Sequence, residues 1–64
     1  MLTDRQLDVL GLLARGLTAK HAGELLGIQE HTVKDHVKDA KVRLQARNTA
    51  HAVAIALHEG LIVP

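Results

Sequence analysis

The run from Thr18 to Leu44 constrains this chain most, because it reads as two helices that must turn sharply at Gly27-Ile28. Thr18 is a good N-cap for a short helix to about Leu26, its inward residues being Ala22, Leu25 and Leu26, and Gly27 stops it. A longer helix follows from about Glu30 to Leu44. Its Val33, Val37, Ala40 and Leu44 fall at i, i+4, i+7 and i+11, one apolar stripe. Lys34, Lys38 and Lys41 lie about 100° round from that stripe and face outward. A short helix, a tight turn and a helix with a basic stripe is the arrangement by which a helix-turn-helix meets the DNA major groove. On charge alone, such a stripe is more often a solvated helix face.

Two further helices flank this pair. The first runs from about Asp4 to Arg15. Thr3 and Gln6 can satisfy each other's backbone N–H as a capping box, Leu2 and Leu7 form a hydrophobic staple, and Gly16 suits a left-handed end. Leu7, Leu10, Leu13 and Ala14 make its buried stripe. Asn48 caps the last helix, from about Thr49 to Glu59, with Gly60 as its stop and Leu61-Ile62 folding back on the core. Val53, Ala56 and Leu57 form one of its faces; His51, Ile55 and His58, with Ala54 beside them, form the opposite one. No stretch alternates as a strand would. The fold class is therefore all-α, four helices at about 4–15, 18–26, 30–44 and 49–59, in a single domain over 1–64. Gln29 is a mediocre N-cap, although Glu30 suits the positive helix end. Gly23 inside the second helix costs about 1 kcal/mol relative to alanine. Either another helix comes close there, or the position is simply a poor one.

Sixty-four residues sit near the lower limit for a chain that folds alone. Apolar residues make up 47%, but Phe, Tyr and Trp are absent, so aliphatic side chains must build the whole core. The stability margin should be thin. Cysteine and serine are both missing, which removes disulfides, thiolate metal sites and the commonest nucleophiles. A chain this small also lacks room to enclose a substrate, so it should not be an enzyme. His31 and His36 are five apart, the wrong spacing for one helical face, and no carboxylate completes a cluster; no metal and no cofactor is expected. His36 reads as a packing residue at the junction of helices two and three rather than a base reader. No apolar run approaches membrane-spanning length and no signal peptide opens the chain, which points to a soluble, cytoplasmic protein. Net charge is only +1. Between His31 and Arg47, however, five cations (Lys34, Lys38, Lys41, Arg43, Arg47) face two anions (Asp35, Asp39). Local excess is what phosphates feel, since screening confines charges to roughly 10 Å.

Landmarks run through the whole sequence: Leu2-Thr3-x-Arg5, Val9-Leu10-x-Leu12-Leu13-Ala14-x-Gly16, Thr18-x-Lys20, Leu26-x-Ile28, Thr32-Val33-Lys34-x-His36, Lys38, Leu44, Arg47-Asn48, Ala52-Val53 and Gly60-Leu61-Ile62. Together they resemble the LuxR-type DNA-binding domain found at the C-terminus of many bacterial transcription regulators. The resemblance implies a third helix in the major groove of double-stranded DNA and a fourth that often forms a dimer interface. Carried over by position, Lys34, Asp35 and Lys38 approach base edges, while Thr18, Lys20 and Thr32 contact phosphate; Lys41 and Arg47 join that grip. Lysines donating to guanine or phosphate, and helix N-termini holding phosphate oxygens, agree with this.

Some positions depart from the family pattern. His21 stands where Glu is usual, Ala22 and Gly23 are smaller than usual, Gln29 replaces a frequent Ser, and Thr49 a frequent Arg. Asp39 replaces a common Asn, Lys41 an apolar residue, and Val42 is shifted outward. Asp35 sits between the reading lysines. Both acids would repel phosphate unless each accepts from a cytosine amine or pairs with a neighbour; Asp35 with Lys38 and Asp39 with Arg43 have suitable spacing. His51, Ala54, Ile55 and His58 make a face suited to a symmetry mate, and protonating the histidines should weaken that pairing. The expectation is a homodimer on paired half-sites, acting on the bacterial nucleoid. The rival is a protein-interaction or dimerisation module of the same fold, in which Asp35 and Asp39 have abolished DNA binding. A sensory or receiver domain usually precedes such domains. The chain then corresponds either to a C-terminal fragment with an added Met1 or to a small stand-alone regulator.

Overall fold

Three of the four helices begin where a side chain supplies a cap. The computed structural model describes residues 1–63, with α1 (Asp4–Ala14), α2 (Ala19–Leu26), α3 (Glu30–Leu44) and α4 (Thr49–His58) and no strand among them. Ahead of α1, Thr3 Oγ1 accepts from the Gln6 amide at 3.1 Å and Gln6 Oε1 from the Thr3 amide at 2.9 Å, the reciprocal capping box. Thr18 Oγ1 accepts from His21 N ahead of α2, and Asn48 Oδ1 from His51 N ahead of α4. Gln29 gives α3 no side-chain cap; only its carbonyl receives the Thr32 and Val33 amides.

The helix ends share one device. An amide reaches back five residues to a carbonyl in the last turn: Leu17 to Leu12, Ile28 to Gly23, Ala46 to Lys41 and Leu61 to Ala56. Such a closure needs one left-handed residue. Gly16, Gly27 and Gly60 supply it for α1, α2 and α4, but for α3 it is Gln45, at φ 56°.

The core has two lobes that share α1 and α3. Leu10, Ala40, Ala52, Ala56 and Ile62 fill one, bringing α4 and the C-terminal segment against α1 and α3. Val9, Ala22, Val33 and Val37 fill the other, where α2 packs. The α3 stripe crosses both lobes as its spacing requires, with Val33, Val37 and Ala40 buried and Leu44 half-buried. Other faces differ from expectation. In α1 the fully buried pair is Val9 and Leu10, while Leu7, Leu13 and Ala14 are half-buried. Leu25 is 68% exposed and Leu57 lies at the rim, while Ala22 and Ala56 are buried as their spacing requires, joined by Gly23 and Ala52. Small residues mark where short helices come closest, and larger ones are displaced outward.

Gly23 owes its place to such an approach. A Cβ there would stand 2.6 Å from the Ile28 carbonyl oxygen and 3.4 Å from a Val33 methyl. The turn thus folds back on α2 while α3 packs beside it. A polar tie then sets the rotation of α3. Gln6, only 3% exposed, donates through Nε2 to Asp39 Oδ2, and Arg43 Nε lies 3.0 Å from the same oxygen. Arg43 also donates to the Met1 carbonyl. Asp39 is therefore held toward α1.

Candidate nucleic-acid interface

With both core lobes gripping one side of α3, and Asp39 and Arg43 tied toward the N-terminal segment, the side opposite the core is exposed. Taking about 100° per residue, Asp35 stands roughly opposite the buried stripe, Lys38 about 130° from it, and Lys34 and Lys41 about 90° or less. Asp35, Lys34 and Lys38 are exposed, as are His31 and Val42 on the outward side. Lys41 is half-buried.

Lys41 and Lys34 border a shallow groove with Val37, and its other walls are Leu13, Ala19 and Thr49. Ala19 opens α2 and Thr49 opens α4. Two helix N-termini, each with unsatisfied amides and a partial positive charge, thus meet the lysine side of α3. No carboxylate lines this groove. The other expected backbone contacts flank the same helix starts, except Thr32, which falls on the side of α3 away from Lys34 and Lys41. Thr18 is exposed, and accepting from His21 leaves its hydroxyl hydrogen free to donate. Lys20 and Arg47 are exposed, and their charged groups form no ion pair among the described residues. Thr32 is half-buried at the start of α3. An anion drawn here would meet cations, hydroxyls and amide dipoles together.

The charges on α3 are not equivalent. Lys34 Nζ is 3.3 Å from Glu30 Oε2, one turn back. Asp39 is spent on Gln6 and Arg43. The Asp35–Lys38 pair allowed by spacing does not form, and neither side chain has an ion-pair or hydrogen-bond partner among the described residues. His36 is half-buried on the flank of α3 and makes no side-chain hydrogen bond there.

On α4, His51, Ala54 and His58 are exposed and Ile55 is half-buried. His51 has a local task that spacing did not reveal: its Nδ1 accepts from the Arg47 amide at 3.0 Å. The ring is then the neutral tautomer carrying its proton on Nε2. With Asn48 it forms a two-way lock on the start of α4, which tempers its reading as a dimer residue alone.

A glycine-turned helix pair whose second helix is buried on one side and polar on the other defines a helix-turn-helix protein. Residues 1–56 match the family described as bacterial regulatory proteins, luxR family, and the chain belongs to that family. It is 36% identical over 63 residues to the transcriptional activator protein BjaR1 of Bradyrhizobium diazoefficiens, covering 98% of this chain and 26% of that protein. It is 39% identical over 59 residues to the nitrate/nitrite response regulator protein NarP of Escherichia coli, covering 92% and 27%. The transcriptional activator protein CarR of Pectobacterium carotovorum is 38% identical over 61 residues, covering 95% and 25%. The chain spans about a quarter of the length of these relatives.

Proposed function

We propose that this chain is a sequence-specific double-stranded DNA-binding unit of bacterial transcription regulation, residues 1–64 acting together, with α3 in the major groove. The observation that carries this reading is the carboxylate-free groove where the N-termini of α2 and α4 meet Lys34 and Lys41. A duplex seated there has its phosphates held by Thr18, Lys20, Thr32, Lys41 and Arg47 while Lys34, Asp35 and Lys38 face base edges. Contacts of the first kind set register and orientation; contacts of the second carry sequence. The α4 face of His51, Ala54, Ile55 and His58 pairs two copies, placing two α3 helices on paired half-sites. The working compartment is the bacterial cytoplasm, on the nucleoid, and no catalytic step or cofactor enters. A sensory or receiver domain is the partner that would deliver the signal. Among the described residues no helix is long and apolar enough to cross a membrane.

Salt dependence tests the reading. Each neutralised phosphate contributes a slope of about −0.9 to log affinity against log salt. Lys41→Ala should weaken binding to all sequences evenly and reduce the slope by about 1. Lys38→Ala should instead relax preference at one base pair. Absence of binding to any duplex at low salt would favour an interaction module that keeps the fold without DNA.

A further inference from the structure

Two aspartates lie on α3, and the structure gives them opposite circumstances. Asp39 is bonded to Gln6 and Arg43 and turned toward α1. Asp35 is exposed, stands opposite the buried stripe, and has no ion-pair or hydrogen-bond partner among the described residues. Lys34 is drawn back to Glu30 and borders the groove at the flank, whereas Lys38 is free beside Asp35. The outward-facing charged side chains of α3 without an ion-pair partner among the described residues are therefore one acceptor and one donor, Asp35 and Lys38. They are three residues apart, about 4.5 Å along the axis and about 60° around it. On a helix lying in the major groove, side chains three positions apart can contact successive bases.

We infer that Asp35 is a specificity residue that reads cytosine, with Lys38 reading a guanine on the neighbouring pair. The inference rests on the DNA-binding reading above. A carboxylate brought to the major-groove edge needs a donor, and only the N4 amine of cytosine and the N6 amine of adenine provide one. Adenine sets its N7 acceptor beside that amine, which repels a carboxylate; cytosine has no such acceptor on its edge. Lysine has the converse need, met by guanine O6 and N7. Asp35 thereby turns from a liability near phosphates into a selective contact, because wrong bases leave its charge desolvated without a donor.

The experiment is selection from random-sequence duplexes with the wild-type chain, D35N and D35A, followed by affinities on the selected site and its single-pair variants. The wild type should require cytosine at one position, and replacing that pair should cost about tenfold or more. D35N should change the preference at that position alone from cytosine to adenine, since an amide both donates to N7 and accepts from N6. D35A should relax that position alone. If D35A and D35N instead bind every duplex more tightly and evenly, Asp35 only repels phosphate and the inference falls. Binding by D35A but not by the wild type would overturn it too, leaving DNA binding to the fold itself. If none of the three binds at low salt, the DNA-binding reading fails and takes the inference with it. Asp35 is exposed, so superimposable thermal melts should show that all three chains fold alike.

Discussion

Gln45 is the only non-glycine residue with positive φ among those described, and it closes α3 in the way that glycines close the other helices. Holding an L-residue in that region costs roughly 1–2 kcal/mol, whereas glycine gives back about half through its freer unfolded chain. Gln45→Gly should therefore raise stability by about 0.5–1 kcal/mol. A higher urea midpoint at unchanged slope would show it; a lower midpoint would mean that the exposed glutamine makes a contact worth more than the strain. Side-chain pairing was only partly legible from spacing. Asp39–Arg43 formed and Asp35–Lys38 did not, although both spacings allowed it. Exposed ion pairs contribute only about 0–1 kcal/mol, so spacing permits them without selecting among them. Gln6, from 33 positions away, decided which acid was held.

The helices themselves were legible almost to the residue, because Thr3, Thr18, Asn48 and the closing glycines mark their ends chemically. Their faces were less so. Spacing put Ala22 and Ala56 on the packed faces, where they are buried, but grouped Leu25 and Leu57 with them and left out Gly23 and Ala52, which are buried in their place. Two helix-interior glycines separate packing from propensity. At Gly23 an added methyl meets backbone oxygen at 2.6 Å, so Gly23→Ala should destabilise by about 1–3 kcal/mol despite alanine's helix preference. At Gly11 nothing lies within 4 Å, and Gly11→Ala should stabilise by up to about 1 kcal/mol. Denaturant unfolding of the two variants should move in opposite directions; matching signs would mean that the turn at Ile28 yields freely.

For the whole molecule, the decisive property is that α3 is gripped from two sides and left bare on a third. Both core lobes act on its inner surface, and the Gln6–Asp39–Arg43 tie holds one flank. Pairing of two such molecules through α4 can be tested without acid, which would also disturb the His51 lock because a doubly protonated imidazole has no acceptor. Ala54 is exposed, so Ala54→Glu should leave the fold intact. It should bring like charges together across a two-fold interface. Sedimentation should then show monomer at all concentrations. Affinity for paired half-sites should fall about tenfold or more, with binding to one half-site unchanged. Unaltered association would place the interface elsewhere.

The sequence by itself determined four helices, their caps, the turn at Gly27 and the stripe that buries α3, because these depend on contacts within a few residues. It also carried enough landmarks for the family. Tertiary structure alone decided which lysines stay unpaired among the described residues, which aspartate is held, and which helix starts converge on the groove. Those outcomes depend on contacts between residues far apart in the chain, such as Gln6 with Asp39, and weak local preferences cannot rank them.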